Sequence, residues 1–129
     1  GITAALGVAA AQDIPLTFKR VASSLHLVSG HVAPGQDHGL VDWPALARVD
    51  GTIVLYMASE NLSAIAEALI RHGRAASTPA IAVCDGTLPN AREVYGSLAT
   101  ISDDVVAAGL GMPLLVYLGD AVRRARPQP

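Results

Sequence analysis

The chain has 129 residues, the size of one ordinary domain. It is 51% hydrophobic and only 16% charged, so it buries more than a lone domain needs and keeps surface for a partner domain or subunit. A net charge of −2 without a basic run excludes a nucleic-acid footprint, and no apolar stretch approaches a membrane helix.

The sequence reads as having no signal peptide, and the single cysteine, Cys84, excludes an internal disulfide and suggests a reducing, cytoplasmic compartment. The chain starts on Gly1 and runs at once into a helical pattern, which reads as a piece of a longer protein cut at a loop.

Thr3 to Ala11 predicts a helix of small side chains with Thr3 as its N-cap, stopped by Asp13-Ile14-Pro15. Leu25 to Ser29 predicts a strand, and Gly30 to Gly39 a loop of turn-formers. Asp42 to Arg48 predicts a short helix, capped by Asp42 with Pro44 in its first turn. Thr52 to Tyr56 is apolar or β-branched and barely alternates, as a strand covered on both faces does.

Asn61 or Ser59 then caps a helix whose stripe is Leu62, Ile65, Ala66, Leu69 and Ile70. Arg71 and His72 suit its last turn, and Gly73 ends it. Pro79 to Cys84 predicts a strand, with Arg92 to Leu98 antiparallel to it. Ser102 caps a helix reaching about Ala108, and Pro113 to Leu118 is the last strand. Arg123 to Pro129 predicts a loose, solvated tail beyond a domain ending near Arg124. The fold class is α/β, with a mixed sheet of about five strands flanked by helices.

Individual side chains carry little chemistry alone. His26, His31, His38 and His72 match no compact metal site, and only His31 stands near a strand end where a cleft can open. Cys84 reads as a core thiol, Asp85 as a turn-former or a base, and Trp43 as a core or interface anchor. No metal site and no catalytic group emerges. The carboxyl end of a strand is where open α/β sheets bind ligands, and Met57 stands at one such end. Taken alone, Met57 also fits a core position, Thr3 a plain cap and Gly86 a turn.

The ordered set of segments is more specific. Gly1–Ala5 (GITAA), Ile14–Thr17 (IPLT), Ser29–His31 (SGH), Asp42–Ala47 (DWPALA), Gly51–Met57 (GTIVLYM), Glu60–Gly73, Pro79–Thr87 (PAIAVCDGT), Gly96–Ile101 (GSLATI) and Met112–Val122 follow one another at near-constant spacing. This set resembles the C-terminal half of the tetrapyrrole methylase family, and within it the uroporphyrinogen-III C-methyltransferases, from Gly1 to about Arg124. The resemblance implies an enzyme that moves methyl groups from S-adenosylmethionine to uroporphyrinogen III, giving precorrin-2.

It also implies a homodimer of two-domain chains. The absent N-terminal domain then carries a GxGxGD loop and the acid/base residues. Donor contacts map onto Thr3, Ala4, Met57 and Gly86. A helix N-terminus at Thr3-Ala4 favours the donor's carboxylate, Gly86 lets backbone approach the adenine, and Met57 offers a soft surface. One position departs from the pattern. Lys19 stands where the family's T-H-R carries an arginine, so charge for a substrate carboxylate remains without the bidentate fork. The alternatives are a methyltransferase of later corrin precursors, or a module that folds and dimerises without turnover. The isolated chain is expected to be inactive and to bind the donor weakly or not at all.

Overall fold

The computed structural model describes residues 1–125. Five strands form one sheet: β1 (Leu25–Ser29), β2 (Thr52–Tyr56), β3 (Pro79–Cys84), β4 (Arg92–Ser97) and β5 (Leu114–Leu118). Their order is β1-β2-β5-β3-β4. Only β1 and β2 pair in parallel; β5 runs antiparallel to both β2 and β3, and β4 antiparallel to β3. The mixed sheet expected from the sequence is present.

Helices cover both faces, which is why the central strands do not alternate in polarity. α2 (Trp43–Ala47), α3 (Leu62–Arg71) and α4 (Ile101–Ala107) pack on one face, against Ile53, Leu55, Val116 and Leu118. α1 (Ala4–Ala11) and a 3₁₀ turn (Asp120–Arg124) pack on the other, against Val54, Ile81, Val83, Leu115 and Tyr117. β3 presents small residues, Ala80, Ala82 and Cys84, to the three-helix side and larger ones to α1. Trp43 is a core residue and Cys84 is a buried free thiol.

The stripe of α3 is buried as expected at Leu62, Ile65, Ala66 and Leu69, with Ile70 half-buried. Gly73 follows at φ 110°, a value that favours glycine. Arg74 then turns back across the sheet. Its guanidinium donates to the carbonyls of Val49 at 2.6 Å and Gly51 at 3.1 Å, just before β2. Burial lowers its pKa, and the nearby carboxylates of Asp120 and Asp50 act in the opposite direction.

Three expectations need correction. Asn61 occupies the position before α3 but does not cap it; its side-chain amide donates to the carbonyls of Gly30 at 2.8 Å and His31 at 2.9 Å. Ser102 lies inside α4, which begins one residue earlier. Thr100 holds that entry instead: its hydroxyl accepts from the Ser97 amide and donates to the Asp104 carboxylate at 2.7 Å. Arg123 and Arg124 belong to the 3₁₀ turn rather than to a loose tail, and Arg124 stacks 5.2 Å over the Phe18 ring. Arg126 lies outside the described residues.

The Arg74 contacts make a direct expectation. Arg74→Ala strands two backbone carbonyls at the entry to β2 and is expected to cost about 2–3 kcal/mol, since hydrogen bonds from a charged donor are the stronger kind. Arg74→Lys recovers only part of this, because the fork is lost. Denaturant midpoints of the three proteins check the ranking.

Candidate functional site

β1, β2 and β3 all end at the same edge of the sheet, and β5 begins there. The segments that follow or precede them enclose a cavity of about 760 Å³. Its wall includes Ala4, His31, Tyr56, Met57, Glu60 and Gly86, with Leu88, Met112 and Pro113 at the β3 and β5 side. That volume lies in the range of small-molecule sites. Ala4, Met57 and Gly86, distant in sequence, therefore share one space, and Thr3 stands next to it.

α1 forms one side of the cavity and is fixed at two places. In its first turn, the Ala5 amide donates to the hydroxyl of Tyr56, the last residue of β2, at 2.8 Å. The Thr3 hydroxyl bonds the same oxygen. The Tyr117 hydroxyl donates to the Ala5 carbonyl at 2.8 Å. Burial, and then the neighbouring Tyr56, raises the Tyr117 pKa, so it stays a protonated donor.

Thr3 thus stands at the cap position without capping α1, because its side chain is engaged with Tyr56. The Thr3 carbonyl takes the amides of Leu6 and Gly7, both at 3.1 Å. Among the described residues, the Ala4 amide is left without an acceptor. Ala4 is exposed and lines the cavity, at the positive end of the helix.

The second fixing point is Gly86. Gln12, just past α1 and only 8% exposed, donates from its side-chain amide to the Gly86 carbonyl at 2.6 Å. A Cβ at Gly86 would lie 2.4 Å from a methyl of Val8 on α1. The glycine is required by this close approach of helix and loop. Gly86 thus meets α1 on one side and lines the cavity on the other. Neither Gln12 nor Tyr56 was singled out from the sequence. Their bonds join residues 74 and 51 positions apart, and no local pattern marks such pairs.

Met57 and Asp85 are the first residues after β2 and β3. Both are left-handed, at φ 51° and 53°. For a residue with a Cβ that conformation costs about 1–2 kcal/mol. Met57 is 63% exposed and belongs to the cavity, not to the core. Asp85 accepts from the Asn90 side chain at 3.1 Å, which braces its loop. His31, Glu60 and Asp85 are the titratable cavity residues beside Tyr56; no lysine or arginine is among the described lining residues.

Lys19 is elsewhere. It lies exposed in a turn closed by reciprocal backbone bonds between Phe18 and Ala22, each 2.9 Å. Its neighbour Arg20 lines a separate hollow with Asp50, Arg74 and Asp120, at the opposite edge of the sheet. His26 is also away from the cavity, bonded to Ser24 at 3.0 Å. Among the described residues no group of three metal-ligating side chains comes together, and no helix is long and apolar enough to cross a membrane.

The family model for Tetrapyrrole (Corrin/Porphyrin) Methylases matches residues 1–102. The chain belongs to that family. It is 45% identical over 123 residues to a siroheme synthase of Thiobacillus denitrificans, covering 95% of this chain and 25% of that protein. It is 39% identical over 122 residues to a chloroplastic S-adenosyl-L-methionine-dependent uroporphyrinogen III methyltransferase of Arabidopsis thaliana, covering 95% and 33%. Uroporphyrin-III C-methyl transferase from Thermus thermophilus, solved in complex with S-adenyl homocysteine, superposes with a TM-score of 0.73 at 29% identity. That match covers 91% of this chain and 48% of the Thermus chain. The chain therefore spans a quarter to a third of the curated relatives, and about half of the solved one.

The contact between Gly86 and Val8 sets an expectation for this methylase domain. Gly86→Ala is expected to destabilise by about 1–3 kcal/mol through overpacking. Adding Val8→Ala removes the two Val8 methyls and leaves only a Val83 methyl at 2.9 Å, so the double variant should be more stable than additivity allows. Thermal melts of the four proteins measure that coupling.

Proposed function

We propose that the cavity is one half of an S-adenosylmethionine site in a uroporphyrinogen-III C-methyltransferase. The observation that carries this reading is the gathering of Ala4, Met57 and Gly86 around a space whose wall holds carboxylates and a histidine but, among its described residues, no fixed cation. Such a wall suits a cationic sulfonium and is unsuited to a tetrapyrrole with eight carboxylates. The Thermus relative bound to S-adenyl homocysteine supports the same assignment.

The residues present fit the donor. The Ala4 amide at the start of α1 takes its carboxylate, and the Met57 side chain lies along the adenine or the sulfur. The Gly86 segment meets the adenine edge. Its carbonyl is held by Gln12, which fixes its direction. When bound, the donor supplies a methyl group already activated for transfer. The protein's task is to align the methyl with a pyrrole carbon, to exclude water and to remove a proton.

In this reading the complete enzyme places the acid/base groups and the cations for the substrate in a second, N-terminal domain. It works as a cytoplasmic homodimer and methylates two pyrrole carbons of uroporphyrinogen III, giving precorrin-2 through precorrin-1. Lys19 lies away from this cavity, and its place in the reading is toward a substrate carboxylate rather than the donor.

Product analysis decides between this and methylation of a later corrin precursor. The complete protein, given S-adenosylmethionine and uroporphyrinogen III, is expected to accumulate precorrin-2; its absence overturns the substrate assignment. The 129-residue chain alone is expected to bind S-adenosylhomocysteine weakly or not at all in a calorimetric titration, because half of the site is missing. Tight binding by the lone chain contradicts the division between two domains.

A further inference from the structure

The two ends of α1 hold more than the helix. The first turn, which bears the free Ala4 amide, hangs on the hydroxyl of Tyr56 through the Ala5 amide and the Thr3 hydroxyl. The far end, through Gln12, holds the Gly86 carbonyl. Between them Val8 rests on Gly86 with no room for a Cβ. A helix rises about 1.5 Å per residue, so the turn from Ala4 to Val8 is a rigid spacer of about 6 Å.

α1 has no polar face of its own: its sequence is AALGVAAA. Packing fixes how the helix is turned about its axis mainly where Val8 meets Gly86, since its other buried residues, Ala5 and Ala9, are alanines. The three polar anchors supply the rest of that information. Tyr56 is half-buried and lines the cavity, while Gln12 is buried behind it.

We propose that Tyr56 and Gln12 are positioning residues that make α1 a fixed spacer across the ligand cavity, each setting one end of the bound donor. This rests on the methyl-donor reading given above. Tyr56 sets the end that meets the amino-acid part of the donor, through the Ala4 amide. Gln12 sets the end that meets the nucleoside, through Gly86. Neither touches the reacting atoms.

The two roles separate by ligand. S-adenosylhomocysteine carries both parts; 5′-methylthioadenosine lacks the amino-acid part. Calorimetry on the complete protein should show that Tyr56→Phe weakens S-adenosylhomocysteine about three- to tenfold and leaves 5′-methylthioadenosine unchanged, the effect of one misdirected hydrogen-bond donor. Gln12→Ala should weaken both ligands by a similar factor. Val105→Ala, on the other face of the sheet, is the control for stability alone: it should lower the melting temperature and leave both affinities unchanged.

If Tyr56→Phe weakens both ligands equally, or if Val105→Ala reproduces either pattern, the positioning role is overturned. If both variants bind as the wild type does, it is also overturned, while the donor site stands. A wild-type protein that binds neither ligand removes the donor reading itself.

Discussion

The site depends on how a nearly featureless helix is held. α1 is built of alanine, leucine, valine and glycine, and hydrophobic burial draws it onto the sheet while specifying its rotation mainly at Val8. Further specificity comes from a few directional bonds, from Tyr56, Tyr117 and Gln12, made where water is largely excluded. An unmade hydrogen bond there costs more than a made one contributes, so wrong orientations are penalised more than the right one is rewarded. Small side chains have a second effect. They let the helix axis approach the loop at Gly86 closely, and that closeness draws the Gly86 segment against the helix rather than leaving it free at the rim.

The rest of the cavity is built on strand ends that stop abruptly. Met57 and Asp85 turn into left-handed backbone directly after β2 and β3. The core strands around them are close to fully buried, and that packing supplies the free energy that keeps two unfavourable conformations in place. Asn61 adds a tie between the β1 loop and the start of α3, which holds His31 at the rim. Rigid layers and a few locally strained residues at their edge divide the labour between stability and binding.

Much of this was legible in the sequence, for identifiable reasons. The strands follow from apolar runs bounded by turn-formers and, for β4, from alternation beside β3; the helices follow from cap residues and from the stripe of α3. Asp42 was readable as a cap because its bond is local, to Ala45 at 3.0 Å. Thr3, Asn61 and Ser102 were misread as caps because their type suits the role, while tertiary partners or a shifted helix start decided otherwise. Gly86 lines the cavity, and its lack of a Cβ also admits Val8 of α1, a contact no local pattern marks. Tyr56 sits in a run of β-formers and looks like one more of them. Gln12 looks like the frayed end of a helix. What they do depends on partners that only the folded chain brings near. Lys19 stands where the sequence departs from the family pattern, and the turn between Phe18 and Ala22 holds it away from the cavity.

The strand order has a consequence for how the protein is made. β2 and β3, whose ends carry Met57 and Gly86, are not paired with each other; β5 lies between them and is the last of the described strands. Until residues 114–118 are inserted, the two halves of the sheet have no hydrogen-bonded bridge, and α1 has no continuous surface to cross. A chain emerging from the ribosome can form β1 with β2, and β3 with β4, as separate pairs. The cavity depends on β5 pairing with both β2 and β3, through long-range contacts of the kind that form slowly. A nascent chain stopped short of Leu118 therefore has Ala4, Met57 and Gly86 but not the continuous sheet that brings them to one cavity.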